Sequence, residues 1–351
     1  MIDLSLQRYA FFALAAAALF GASTPFAKLL LGEISPVVLA GMLYLGSGVG
    51  LALFKLVRGA SERPREARLA PRDWGWLTGA IFSGGVVAPV LLLWGLAGSG
   101  AAETSLLLNF EGVLTALVAG LLFREAVGIR VWLAALVMLA GGLVLAYNPR
   151  ATLAFSPQSL AIVGACFAWA LDNNLTRKVA GADPVVTAMT KGLVAGSCNL
   201  ALGLAVGGLF PAAATAIGAV VLGFVAYGVS LVLFIYALRH LGAARTGAHF
   251  STAPFIGAAI AVPLLGEPLT TGLLAATALM AIATWLVLSE SHGHLHELRR
   301  LAHAHRHVHD EHHQHAHHGD EGPEPHAHEH VHEPMRHAHP HVPDLHHRHR
   351  H

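Results

Sequence analysis

Between about Tyr9 and Leu288 the chain is a succession of apolar runs, each long enough to cross a bilayer and separated by short connections. No other feature limits the fold so severely. In hydrocarbon every backbone N–H and C=O must be satisfied within the protein, so only helices or closed barrels can span it. Continuous runs without strict alternation exclude the barrel. Ten helices are expected, at roughly 9–31, 36–57, 74–98, 101–122, 129–147, 157–178, 184–208, 212–238, 243–265 and 270–289. Pro36, Pro157, Pro184, Pro211 and Pro268 fall at span starts, where a missing N–H costs little. The composition agrees: 54% of residues are hydrophobic and only 12% charged, about half the charge of an ordinary soluble protein. The first run, behind Arg8, reads as a membrane helix rather than a cleaved signal, because its charged leader is thin. Cys166 and Cys198 lie inside apolar spans and read as packing residues, not as a disulfide framework.

Cationic residues gather in alternate connections. Lys55, Arg58, Arg63, Arg65, Arg68 and Arg72 follow the second span, Arg124 and Arg130 the fourth, Arg177 and Lys178 the sixth, Arg239 and Arg245 the eighth, and Arg299 and Arg300 the tenth. Arg150 is the exception. Lysine and arginine remain on the cytoplasmic side, so a cell inner membrane protein with both termini in the cytoplasm is expected.

The membrane part carries an internal echo. Gly100-Ala101-Ala102-Glu103-Thr104 recurs as Gly242-Ala243-Ala244-Arg245-Thr246, an offset of 142, and each copy opens a run that closes at a glutamate, Glu125 or Glu267. At the same offset Ala116, Ala119, Leu122, Ala134 and Met138 meet identical residues. Pro36-Val37-Val38 is echoed by Pro184-Val185-Val186. The unit is five helices. Five is odd, so the second copy enters the membrane inverted, an arrangement used by secondary carriers whose site lies near the midplane where the halves meet. The expected division is residues 1–148, residues 149–290 and a tail over 291–351.

This plan resembles the EamA family of the drug/metabolite transporter superfamily. The resemblance rests on the ten spans, on Ala-Ala-x-Thr opening spans four and nine, and on Gly266-Glu267-Pro268-Leu269-Thr270 between spans nine and ten. It covers about residues 1–290. It implies a bundle with a central cavity, gradient-coupled exchange or facilitated export, and small metabolites as cargo. The chain departs from the family pattern in two places. It has Glu111-Gly112 where the second copy has Ala253-Pro254, and Arg124-Glu125-Ala126 in place of Gly-Glu-Pro. The two halves are thus expected to line the cavity with different chemistry.

Ionisable groups at bilayer depth are expensive and mark function by default. Glu111 stands near the middle of span four, about 12–15 Å from either end by helical rise, and is the leading candidate for a protonatable or cargo-contacting group. Asn109 is close in sequence but two residues away, hence on another helix face. Asp172 and Lys191 lie at similar depth in spans six and seven and could pair, as gate, cargo contact or staple; Asn173 and Asn174 make that end of span six polar. His249, one turn into span nine, is a further candidate for protonation or ligand contact. Lys28 reads as a snorkelling side chain, and Glu103 and Arg245 as interfacial anchors.

Of the 25 histidines, only His240 and His249 precede residue 292. His303, His305, His307, His309, His312, His313, His315, His317 and His318 form the densest group. Imidazole suits Zn, Ni, Co and Cu, so the tail is a candidate metal binder. Low hydrophobicity and many prolines predict that it is disordered, after a helical continuation of span ten to about Arg306.

A carrier of this kind needs membrane lipid and a small-molecule or ion substrate as partners, no nucleic acid and no bound cofactor. Nothing resembles a hydrolytic or nucleotide-binding motif, so the chain reads as no enzyme. Two rival functions share the same plan: a divalent-metal carrier fed by the tail, and a membrane-tethered metal sensor or store.

Overall fold

The structure, a computed structural model, describes residues 4–58, 69–71, 73–123, 128–146, 156–179, 182–289, 292–298, 301–307, 326–332 and 335–341. Up to Ser289 it is helical. The elements are α1 (Leu4–Leu30), α2 (Pro36–Arg58), α3 (Asp73–Ala80), α4 (Ala88–Gly98), α5 (Ala101–Leu107), α6 (Phe110–Phe123), α7 (Ile129–Ala146), α8 (Pro157–Thr176), α9 (Pro184–Ala205), α10 (Ala213–Gly223), α11 (Ser230–Phe250), α12 (Ala253–Leu265) and α13 (Thr271–Leu288). A π turn, Ile81–Val87, joins α3 to α4 without a break; another, Phe224–Val229, joins α10 to α11.

Among the described residues seven helices are long and apolar enough to cross a membrane: Gln7–Leu30, Pro36–Val57, Asp73–Gly98, Ala101–Leu122, Pro184–Ala205, Ala213–Ala237 and Thr271–Leu288. Ile129–Leu145 and Ala253–Leu265 are shorter apolar helices. α8, whose last turns hold Asp172, Asn173 and Asn174, is not among them.

Local sequence sets the helix starts. Ser156 Oγ accepts from Ser159 N at 3.0 Å with Pro157 in the first turn of α8. Asp183 Oδ1 accepts from Val185 N and Val186 N at 2.9 and 3.2 Å, ahead of Pro184. Thr270 Oγ1 accepts from Leu273 N at 3.1 Å. Each occupies an otherwise unpaired N–H. α12 stops at Gly266, whose φ of 65° suits a residue without a side chain.

Two stretches differ from the sequence expectation. The connection expected at 239–242 is helical, and α11 runs unbroken to Phe250. Leu238 to Arg245 holds one glycine and no proline, so nothing there stops a helix. The chain breaks instead at Ser251-Thr252, ahead of Pro254, and the fourth span breaks at Leu108-Asn109.

Packing depends on small residues, as it must where lipid is as apolar as a leucine side chain. Ala134, Met138, Ala276 and Met280 are fully buried where α7 crosses α13. On the α2–α9 seam a Cβ on Gly48 would lie 2.5 Å from Leu193 N, and one on Gly196 2.4 Å from Leu45 N. The backbones are therefore nearly in contact there. α1 packs on α11 and α12, whereas α8 packs on α4 and α6. Phe11, Leu56, Leu121, Leu136 and Trp285 face outward, as residues in lipid would.

Beyond Ser289 the described residues do not form the expected helical continuation of span ten, and much of the tail expected to be disordered lies outside them. α13 ends at Leu288, and four strands follow: β1 (His292–Leu298), β2 (Leu301–His307), β3 (His326–His332) and β4 (Met335–His341). β1 pairs antiparallel with β4, and β2 with β3. The His-x-His spacing has period two, which is the period of a strand and not of a helix. His309, His312, His313, His315, His317 and His318 lie outside the described residues, as does Glu125.

Candidate functional site in the helical bundle

The first π turn sets up the polar centre. Widening a helix by one residue displaces carbonyls from the regular ladder and makes them available to side chains. Gly84 O accepts from Tyr44 OH at 2.7 Å and from Trp169 Nε1 at 3.0 Å, and Gly85 O accepts from Asn199 Nδ2 at 2.9 Å. Tyr44, Trp169 and Asn199 come from α2, α8 and α9, so one distorted turn gathers three helices. A Cβ on Gly84 would sit 1.9 Å from Asp172 Oδ2, which is why the aspartate can lie directly against this backbone.

Asp172 is 4% exposed. Its Oδ1 accepts from Thr176 Oγ1 at 2.9 Å and its Oδ2 from Lys191 Nζ. The next residue faces another helix: Asn173 Nδ2 donates to Glu111 Oε1 at 2.9 Å and to Thr115 Oγ1 at 3.4 Å. Asn174 Nδ2 donates to Thr115 O at 3.1 Å and to Ala170 O at 2.9 Å. Three consecutive polar residues at the end of α8 thus bind α9, the first π turn and α6. Glu111 and Asn173 retain exposed surface, whereas Asp172 and Asn174 are buried.

An aromatic wall adjoins this centre. Tyr227, on the second π turn, stacks against Tyr44 with centroids 5.6 Å apart. Phe20 meets Trp169, Tyr227 and Phe250 at 6.4, 5.7 and 5.5 Å, and Phe250 meets Phe234 at 4.8 Å. The two π turns are therefore linked through Tyr44 and Tyr227.

Four of the six candidate residues meet here: Glu111, Asn173, Asp172 and Lys191. Asn109 does not. It sits in the α5–α6 break, donates to Leu106 O at 2.8 Å and accepts from Thr284 Oγ1 of α13 at 3.3 Å. His249 is half-buried beside Phe250, its carbonyl accepting from Thr252 Oγ1 at 2.7 Å. No hydrogen bond among the described residues joins it to Glu111 or Asn173.

A second polar cluster escaped the sequence reading. Glu267 Oε1 and Oε2 accept from Ala101 N and Ala102 N at 2.6 and 2.9 Å, so the glutamate that ends the second echo caps the helix that opens the first. Lys28 Nζ donates to Leu96 O, Ala97 O and Ser99 O at 2.7, 3.1 and 2.8 Å. It thereby closes the C-terminus of α4, where the sequence led us to expect a snorkelling side chain. Glu103 accepts from Ser159 Oγ at 3.0 Å, tying α5 to α8 instead of anchoring at the surface alone. Anion on an N-terminus and cation on a C-terminus both complement the helix dipole. The repeated Gly-Ala-Ala and Glu were visible in the sequence; that one half's glutamate serves the other half's helix was not.

Comparison with known proteins agrees with this architecture. A solved crystal structure superposes with a TM-score of 0.59 over 80% of this chain and 98% of its own, at 19% identity, which shows a shared fold. An uncharacterized transporter of Methanothermobacter thermautotrophicus is 28% identical over 271 residues, 71% of this chain and 77% of the relative. The model of the EamA-like transporter family matches twice, over residues 7–147 and 157–289. The chain is a multi-pass membrane protein and belongs to the EamA-like transporter family.

Proposed function

We propose that this protein is a secondary carrier that exports a small solute across the cell inner membrane, through a site between two inverted five-helix halves. Matching irregularities support the duplication. α7 and α13 each have 18 residues and begin 142 positions apart, at Ile129 and Thr271. The π turns at Ile81–Val87 and Phe224–Val229 keep nearly the same offset, as do the breaks at Leu108-Asn109 and Ser251-Thr252. The cross-packing is reciprocal: the first helix of each half lies on the third and fourth spans of the other. The cationic connections support cytoplasmic termini, and exposed Trp74, Trp76, Trp132 and Trp285 stand toward that same side, as interfacial aromatics do.

The observation that carries the site is the Glu111–Asn173 hydrogen bond. It joins α6 of the first half to α8 of the second, in the middle of a span, with both partners still partly exposed. A carboxylate held by one exchangeable amide contact can release that contact to a proton or to cargo. The neighbouring Asp172–Lys191 pair is satisfied within the protein and fixes the end of α8, so Asn173 faces Glu111. In this reading Glu111 carries the coupling charge, Asn173 orients it, and Asp172 and Lys191 position Asn173. Asn109 and His249 stand at the two span breaks, where the cargo path would bend.

Proteoliposomes test the reading. A pH gradient should accelerate solute exchange by wild type and leave Glu111→Gln unaffected, because the amide keeps the acceptor but cannot take up a proton. A variant coupled like wild type refutes the assignment. The histidines favour a second reading, in which the cargo is a divalent metal delivered from the tail. Removing residues from His303 onward should then change cellular metal content and metal tolerance. If both are unchanged, that reading and the metal sensor or store are ruled out.

A further inference from the structure

α5 is a helix of seven residues set between two discontinuities. Ser99 and Gly100 before it are extended, with ψ of 166° and 148°, and the chain breaks again at Leu108-Asn109 after it. The flanking helices are held without it. Lys28 closes the end of α4 through Leu96, Ala97 and Ser99, and α6 is tied to α8 through Glu111 and Thr115. The polar bonds on α5 itself come from the second half of the chain: Glu267 on Ala101 N and Ala102 N, and Ser159 on Glu103. The equivalent stretch of that half, from Ala243, is continuous with α11. The two halves therefore differ at this place, as alternating access requires of inverted repeats.

α5–α6 and α8 run parallel, joined by polar contacts in ascending order: Glu103 to Ser159, Leu107 O to Cys166 Sγ at 3.6 Å, Glu111 to Asn173, and Thr115 O to Asn174. Burial is uneven along this seam. Every residue from Thr104 to Phe110 is buried, as is Cys166 opposite them. Beyond them Glu111 and Thr115 are part-exposed and Asn173 is exposed. Asn173 shares a helix face with Cys166 and Trp169, both buried, whereas the outward-facing Leu160 and Phe167 lie about 120–140° away round the helix. Its exposure is therefore to space inside the bundle, reached from the end of α8. The buried stretch of α5 shuts that space off from the opposite end.

We propose that α5 is the outer gate of the carrier, hinged at Leu108-Asn109 and latched by Glu267 and Ser159, and that it swings off α8 to open Glu111 to the outside. The assignment rests on the carrier reading and the membrane orientation proposed above. The latch suits repeated opening. Glu103 and Glu267 are part-exposed, so water takes the place of the lost partners when the bonds part. The hinge falls where helical pairing is already interrupted, and a few residues at the end of an element can absorb the change in backbone angles. Because Lys28 holds the end of α4 separately, α4 need not follow.

Cys166 reports the movement, because it is fully buried against Leu107 and Leu108. With Cys198→Ser it is the only thiol in the chain. Full-length protein carrying that change, in membrane vesicles of known sidedness, is treated with a membrane-impermeant methanethiosulfonate, and the labelling rate is read by mass spectrometry. Glu267→Gln should raise labelling from the outer face about tenfold, and the milder Ser159→Ala about threefold, since each removes a bond to α5. Gly46→Ala, which loosens the α2–α10 contact instead, should leave the rate within about twofold of its parent. Unchanged labelling in both latch variants, an equal rise in Gly46→Ala, or a rise from the inner face alone would overturn the gate. The rate reads the conformation of the chain without any cargo. Its failure is thus distinct from failure of the carrier assignment, which the exchange assay above tests.

Discussion

Breaking the Asp172–Lys191 pair offers the sharpest physical test of the polar centre. The aspartate side chain is 6% exposed and the lysine 17%. Lys191→Met removes the cation, keeps most of the methylene packing, and leaves Asp172 with one neutral hydrogen bond, from Thr176, against the Gly84 backbone. A buried charge stripped of its partner costs about 3–5 kcal/mol. Asp172→Asn should cost less, about 2–3 kcal/mol, because the more exposed ammonium can turn toward water. Together the two changes remove both charges, and the double variant should fall within about 1–2 kcal/mol of wild type. The coupling in the cycle is then about 3 kcal/mol or more, over 100-fold in the unfolding equilibrium. Unfolding in mixed micelles of graded SDS content, followed by tryptophan fluorescence, measures it. If each single change costs under about 1 kcal/mol and the two simply add, the pair is solvated and the argument for a buried positioning device fails.

Four further positions separate packing, capping and the site. Gly46→Ala would place a Cβ 2.2 Å from Val220 O, a backbone atom that cannot rotate away, so α2 and α10 must part at a cost of about 1–3 kcal/mol in the same unfolding assay. Gly75→Ala, a helical position with nothing within 4 Å, should instead be neutral or stabilising by up to about 1 kcal/mol. Glu267→Ala removes two charge-assisted bonds to α5 and should lower stability by about 2–4 kcal/mol, whereas Glu267→Gln, which keeps one acceptor, should lose about half of that. Asn173→Ala should leave the fold intact and alter transport, because its partners Glu111 and Thr115 retain access to water.

The helical content, most span limits and the internal echo were legible because the bilayer enforces them through length, hydropathy and proline placement. Glu111 and the Asp172–Lys191 pair could be singled out because charge at that depth is rare. Three features were not legible. The π turns leave no periodic signature, and Gly84-Gly85 in isolation resembles any close-packing pair. The continuous α11 defeated a reading that used basic residues as loop markers. The cap by Glu267 joins residues 165 or more positions apart, and no local rule reaches that far.

Sequence by itself determined that the chain enters the membrane as helices, that it carries an internal echo, and which few side chains carry charge at depth. Each of these follows from what a bilayer tolerates one segment at a time. Tertiary structure decided which of those side chains meet. Asn173 reaches Glu111 while Asn109 turns to Thr284, and one half's glutamate caps the other half's helix. Those choices depend on the angle and rotation at which helices cross, set by how closely their small residues let the backbones approach.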